Sequence, residues 1–310
     1  MSLPWVIFWA VALLEWVAYL LWRRFHAVRP KIKHSYDKTP RDILMVVLCG
    51  LDGRPRTQHE NVMKQLKQIG TPLYVDYYGD QGDKARWFNT DKVARSTASE
   101  IYKWKQRHPN GKVVFFGTSL GARVSYRIAA LLAPKGVNTK AVLMDPPMGW
   151  RDLTLVNKIV SVIGWFVYNA PVVHLLMLIQ PFIKVLMQRP KAKETAQYVL
   201  DDKVLSDRLW RSADAAQRTR VSFHIGQAIS LLPPLPRGNP AGWAMGDVAV
   251  IQSDRDIVVK STAYQSWVRK INGLVPFFVV RDALHSGTGQ NPKAYEDAIN
   301  KAFEFVLTER

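Results

Sequence analysis

Short β-branched and apolar runs alternate along this chain with segments whose apolar positions recur at helical spacing. DILMVVLC (42–49), TPLYVDYYG (71–79) and KVVFFG (112–117) are runs of the first kind. Strands apolar on both faces are buried on both, and they need helices above and below them. The intervening segments supply those helices. HENVMKQLKQIG (59–70) spaces Val62, Leu66 and Ile69 along one face and stops at Gly70, while Thr90 to Arg107 and LGARVSYRIAALLAP (120–134) follow the same rule. TKAVLMD (139–145) predicts the next strand. Successive strand-helix units predict a mostly parallel α/β sheet with helices on both faces.

The rhythm stops between Pro146 and about Met245, where the sequence is helical and proline-rich in character. It resumes with DVAVIQS (247–253), a helix at about 261–272, VPFFVVRD (275–282) and a helix at about 292–307. The expected organisation is a core of residues 42–146 and 246–310, interrupted by a helical lid or cap, 147–245.

The N-terminal segment is of another kind. From Leu3 to Trp22 it carries one ionisable side chain near neutral pH, Glu15, and as a helix its length matches about 30 Å of hydrocarbon. A cleaved signal peptide needs a basic start and a small-residue cleavage site, and neither is present. Arg23, Arg24, Arg29, Lys31 and Lys33 follow at once. By the positive-inside rule that flank is cytoplasmic. The expectation is a single transmembrane helix over 1–22, N-terminus out, then a basic juxtamembrane linker, 23–41; an interfacial helix and a buried helix of the body are the alternatives. Glu15 opposes it, since a mid-depth carboxylate costs about 2.5–3.5 kcal/mol.

A formal net charge of +18 favours an anionic partner. No zinc-finger, RNP or basic-zipper pattern accompanies it, so an anionic membrane surface is expected and nucleic acid is not. The single cysteine, Cys49, excludes an internal disulfide framework and a thiolate metal cluster. No cofactor or metal is expected.

Gly117-Thr118-Ser119-Leu120-Gly121 fits G-x-S-x-G, a weak motif alone. Here it sits between an apolar strand and an amphipathic helix, where a sharp turn projects the serine hydroxyl from the sheet and the helix N-terminus favours negative charge beside it.

With those residues the sequence resembles the α/β-hydrolase superfamily over about 42–308. The resemblance implies a triad in the chain order serine, acid, histidine. VAVIQSDRDIVV is similar to the family's G-x-x-D-x-x-V with Asp256 as the acid, although Ser253 stands where glycine is usual and Lys260 where proline often follows. Asp254 is the reserve acid, and Asp145, after the strand at 139–145, is a third candidate. His285, in RDALHSGTG, looks like the family's base. A free serine hydroxyl is a poor nucleophile, so it needs an imidazole to take its proton and a carboxylate to orient that imidazole. The resemblance also implies an oxyanion hole of two backbone amides, those of Leu120 and of Leu51, the latter in Cys49-Gly50-Leu51-Asp52-Gly53.

Within the cap, 155–187 is largely apolar. Ile159, Ile163, Phe166 and the run Leu175 to Ile183 are expected to roof an acyl pocket. Together these features imply a membrane-anchored serine hydrolase acting on a carboxylic ester of a lipid or long-chain acyl substrate. Thioester hydrolysis or acyl transfer would use the same triad, and a non-catalytic membrane scaffold would be favoured were a triad member missing.

Overall fold

The computed structural model describes residues 3–34, 42–51, 60–85, 87–169, 221–256, 258–271, 273, 275–285 and 291–308. In chain order the elements are helix α1 (Leu3–Phe25), β1 (Lys31–His34), β2 (Ile43–Leu48), α2 (Glu60–Ile69), β3 (Thr71–Asp76), α3 (Thr90–Arg107), β4 (Lys112–Thr118), α4 (Leu120–Leu132) and β5 (Thr139–Met144). Then come α5 (Leu155–Asn169), α6 (Val221–Ile229), β6 (Val248–Ser253), α7 (Ala263–Ile271), β7 (Phe277–Val280) and α8 (Pro292–Leu307).

Among the described residues seven strands form one sheet in the order β1-β3-β2-β4-β5-β6-β7, parallel throughout except for β1. The central strands carry unbroken apolar runs, such as Val113–Phe116 in β4, because both faces are covered. In β4, Val113 and Phe115 join the core that includes α3, α4 and α7, while Val114 and Phe116 join the one under α2 and α8. Trp104 of α3 and Trp267 of α7 fill the first layer; Ile299 and Phe303 of α8 fill the second. Asn89 caps α3 by accepting the Lys92 N–H at 3.0 Å.

Sequence reasoning had no strand in the basic stretch after Arg23. Lys31–His34 nevertheless pairs antiparallel with β3 at the sheet edge, and Lys31 meets Asp80 at 2.6 Å. Four residues of alternating lysine carry too little apolar pattern to announce a strand, while lysines suit an edge.

Among the described residues no helix is long and apolar enough to cross a membrane. The spanning anchor expected over 1–22 therefore has no counterpart there. What α1 shows is a helix with two unlike ends. Its C-terminal end docks on the body, where Tyr19 and Trp22 set their rings edge-on to the buried Trp87 at 6.2 and 5.8 Å. Towards its N-terminus Val6, Ile7, Trp9, Leu13 and Leu14 are each about half exposed or more.

The cap leaves and rejoins the core through residues that pack firmly on it. Leu153, Leu231, Leu235 and Trp243 are buried in the sheet's core, and Trp243 Nε1 donates to Thr139 Oγ1 at 2.9 Å. Arg123 on α4 ties both ends together: its guanidinium donates to the carbonyls of Met148, near the start of the cap, and Pro233, near its end. Burial pushes that group down to about 9, so it remains cationic at neutral pH. Within the cap, Leu155, Ile159 and Ile163 recur every four residues on α5 and are 70%, 52% and 58% exposed. Among the described residues Ile159 and Ile163 thus face outward, and the opposite face of α5 is the one packed on α6 at Gly164. The side chain of Phe166 and the run Leu175 to Ile183 lie outside the described residues.

Candidate active site

The turn from β4 into α4 sets Ser119 at φ 51°, ψ −114°, a region an L-residue enters at a cost of about 1–3 kcal/mol. Two glycines make that turn possible. A Cβ on Gly117 would come within 2.6 Å of Ser125 Oγ, and one on Gly121 would stand 2.2 Å from the carbonyl oxygen of Leu48. Gly121 therefore lets the start of α4 lie against the end of β2. The Ser119 N–H donates to the Met144 carbonyl at 2.8 Å, which fixes the turn to β5.

Gly121→Ala follows as a test of this packing. Its Cβ meets backbone, which cannot turn aside as a side chain could, so the variant is expected to lose about 3 kcal/mol of stability together with activity. Thermal unfolding and turnover on the same preparation check both.

Ser119, His285 and Asp256 form one hydrogen-bonded chain. His285 Nε2 lies 2.8 Å from Ser119 Oγ and His285 Nδ1 lies 2.7 Å from Asp256 Oδ2. The Asp256 side chain is 1% exposed, and its other oxygen accepts the N–H groups of Val258 and Val259, both at 2.8 Å. The carboxylate therefore meets donors on both oxygens and has little freedom to turn.

The loops carrying Asp256 and His285 are zipped together. Asp254 N–H donates to Val280 O, Arg255 N–H to Ala283 O, and Ala283 N–H to Asp254 Oδ1 at 3.2 Å. Asp254, the reserve acid, thus holds the backbone two residues before His285. Asp145, the third candidate, is fully buried at the end of β5 with φ 46°, and its Oδ1 accepts the Ser253 N–H at 2.7 Å.

Both departures from the family pattern have a structural use. The Ser253 hydroxyl lies 2.9 Å from Asp145 Oδ2 and 2.6 Å from the Tyr295 hydroxyl, contacts that glycine could not make. Lys260 donates its backbone N–H to Asp152 O at 2.7 Å, a bond that proline has no hydrogen to form. Asp152 in turn accepts from Met148 N–H and Ser266 Oγ–H. Sequence reasoning missed Arg123, Asp152 and Tyr295. An arginine beside Leu120, Val124 and Ile128 on a core-facing helix was the one signal available.

The Leu120 N–H opens α4, where an amide has no carbonyl one turn back to bond. Leu51 follows β2 and packs on the same core. Cys49 is buried where the family's histidine would stand, burial pushes its thiol up, and its carbonyl accepts the Tyr77 hydroxyl at 3.1 Å. Of the other histidines, His26 and His108 are held at helix ends, each through Nδ1 at the carbonyl of a tryptophan one turn back; His224 lies on α6, and His59 and His174 lie outside the described residues.

Asp145, Asp256 and His285 bring potential ligand atoms within 4.8 Å of one another. Those groups hydrogen-bond with Ser119, Ser253, Val258, Val259 and one another. A cavity of about 570 Å³ between α1, α5 and α6 is lined by Arg23, Phe88, Arg127, Trp165 and Ile229, among others. Ser119, Asp256 and His285 do not line it.

Strand order, the serine turn and the positions of Asp256 and His285 after successive strands decide the architecture. The fold is that of the α/β-hydrolases. Solved structures agree: the enol-lactonase of Burkholderia xenovorans LB400 matches at 11% identity with a TM-score of 0.61, covering 90% of this chain and 96% of that one. A carboxylesterase of the thaumarchaeon Nitrososphaera gargenis matches at 14% and 0.59, over 90% and 95%. The type II thioesterase BorB of the borrelidin biosynthetic cluster matches at 17% and 0.58, over 89% and 98%. No protein-family model and no curated protein matches the sequence. At these identities the likeness concerns the α/β-hydrolase fold and not the substrate.

Proposed function

We propose that this α/β-hydrolase-fold chain is a serine hydrolase that cleaves a carboxylic ester through an acyl-enzyme on Ser119. The observation that carries the reading is His285, set 2.8 Å from Ser119 Oγ and 2.7 Å from Asp256 Oδ2. In the first half-reaction His285 Nε2 takes the hydroxyl proton as Ser119 Oγ attacks the ester carbonyl. Asp256 holds the imidazole through Nδ1–H and stabilises the imidazolium. The negative charge that develops on the carbonyl oxygen falls to the amides of Leu120 and Leu51, each well-aimed donor lowering the barrier by roughly 2.7–4 kcal/mol. His285 then returns its proton to the leaving alcohol. Water, deprotonated by the same imidazole, attacks the acyl-enzyme and releases the acid.

The substrate reading is a lipid or long-chain acyl ester at a membrane. Two exposed apolar surfaces support it, the N-terminal part of α1 and the Leu155–Ile159–Ile163 stripe of α5. Arg23 and Arg24 at the end of α1 supply the attraction to anionic headgroups, worth up to about 1 kcal/mol for each charge near the surface. We assign the exposed apolar N-terminal part of α1 to the interface of a membrane, lying on its cytoplasmic face with the basic flank towards the headgroups.

Hydrolysis of p-nitrophenyl esters from about two to about sixteen carbons tests substrate and attachment together, since each buried methylene adds about 0.8 kcal/mol. Specificity is expected to rise with chain length and to rise further with anionic vesicles. Removing residues 3–16 keeps Tyr19 and Trp22 on Trp87, and this truncation is expected to abolish the vesicle effect while sparing turnover in detergent. A maximum at the shortest chains, indifferent to lipid, would contradict the lipid reading.

A further inference from the structure

The cavity of about 570 Å³ that Ser119, Asp256 and His285 do not line has the size of a small-molecule site, for which the usual range is roughly 300–1,000 Å³. Separate parts of the molecule meet in it: Arg23 at the end of α1, Phe88 and Arg127 of the body, Val162 and Trp165 of α5, and Ile229 of α6. It is distinct from the candidate active site. Arg127 follows Ser119 by two turns of α4, about 12 Å along the axis at 1.5 Å per residue.

The walls divide by chemistry. Phe88, Val162, Trp165 and Ile229 offer apolar surface, and Trp165 is 46% exposed where the cavity opens. Arg23 and Arg127 bring two guanidiniums against one carboxylate, Asp91, so the lining is net positive. Arg127 pairs with Asp91, whose side chain is 65% exposed, and a guanidinium with five N–H donors is not exhausted by one such partner. Arg23 lies over the Tyr19 ring at 5.9 Å, which holds its head group at the end of α1. One turn before Arg127, the buried Arg123 adds positive charge behind the wall.

Apolar walls beside an excess of guanidinium fit a ligand with an apolar chain and an anionic head, since the planar fork binds a carboxylate or a phosphate through two parallel bonds. The setting supplies such molecules. Arg23 ends the helix whose exposed apolar part is assigned above to a membrane interface, so the cavity stands beside the headgroups. We propose that it is a second, non-catalytic binding site for a single-chain amphiphile with an anionic head, a fatty acid or a lysophospholipid. The chain lies against Phe88, Val162, Trp165 and Ile229, and the head meets Arg23 and Arg127. Such an occupant touches α1, both cap helices and the body, and ties them together. The acid released by the proposed ester hydrolysis belongs to this class, but binding does not depend on that activity.

A fatty acid brominated along its chain tests the site when titrated below its micelle concentration, because bromine quenches a nearby indole and Trp165 lines the cavity. Saturable quenching is expected, and its amplitude is expected to fall in Trp165→Phe. Arg23→Gln and Arg127→Gln are each expected to raise Kd by ~10- to 100-fold, the loss of a hydrogen bond to a charged group. Arg24→Gln, a neighbouring charge that does not line the cavity, is expected to leave Kd unchanged, and the uncharged methyl ester of the same acid is expected to bind at least ~10-fold more weakly. A brominated lysophosphatidate titrated in parallel shows which head the arginines prefer, and saturable binding of either supports the proposal. Should a glutamine variant fail to fold, Val162→Phe fills the cavity with both arginines in place and is expected to abolish the saturable quenching. Prior reaction of Ser119 with a long-chain fluorophosphonate fills the active site and is expected to leave Kd unchanged; a protein that does not react strikes the triad and leaves the titration intact. No saturable binding of either amphiphile, a Kd indifferent to both arginines, a methyl ester bound as tightly as the acid, or quenching removed by the fluorophosphonate would overturn the proposal.

Discussion

Replacing Ser119 by alanine is expected to lower turnover by a factor on the order of 10⁶, the loss typical when a triad nucleophile is removed. The magnitude follows from the chemistry. Without the hydroxyl no acyl-enzyme forms, and what remains is the binding of the carbonyl between the Leu120 and Leu51 amides. The variant is expected to fold normally. Alanine removes one oxygen from a buried turn, and Gly117 and Gly121, which permit the turn, are untouched. Steady-state hydrolysis with a circular-dichroism control checks this, and activity persisting within tenfold of wild type would remove Ser119 from the mechanism.

Asp256→Asn is expected to lower kcat by about 10⁴, because an amide nitrogen facing His285 Nδ1 favours the wrong tautomer. The fold should survive, since the asparagine oxygen can still accept from Val258 and Val259. Asp254→Asn is expected to be mild by comparison. Asp254 is exposed and accepts a long bond from Ala283 N–H, which an amide oxygen also accepts. Parallel measurement of kcat for the two variants separates the assignments; the opposite order would put the acid at Asp254.

The central strands were legible because two-sided burial leaves an unbroken apolar run, as in β4. Ser119 was legible because its two glycines are demanded by backbone contacts and stand in the sequence as glycines. Asp256 and Asp254, two residues apart, differ in a way no spacing expresses: one turns inward to the imidazole, the other outward to a loop amide. Ser253 and Lys260 read as departures from a family pattern, and only the geometry supplies their partners, Asp145 and Asp152. Arg123 was illegible for the same reason. Its partners are carbonyls, and a carbonyl leaves no mark in a sequence. At α1 composition suggested a spanning helix, whereas Tyr19 and Trp22 spend their apolar surface on Trp87 instead.

The central claim is that Ser119 is the nucleophile, activated by His285. A fluorophosphonate reacts only with a serine so activated, and it records the site as a covalent mass. The purified protein, labelled, digested and sequenced by mass spectrometry, is expected to carry the adduct on Ser119, with labelling lost in His285→Ala as well as in Ser119→Ala. An adduct on another residue, or labelling undiminished in His285→Ala, would contradict the account.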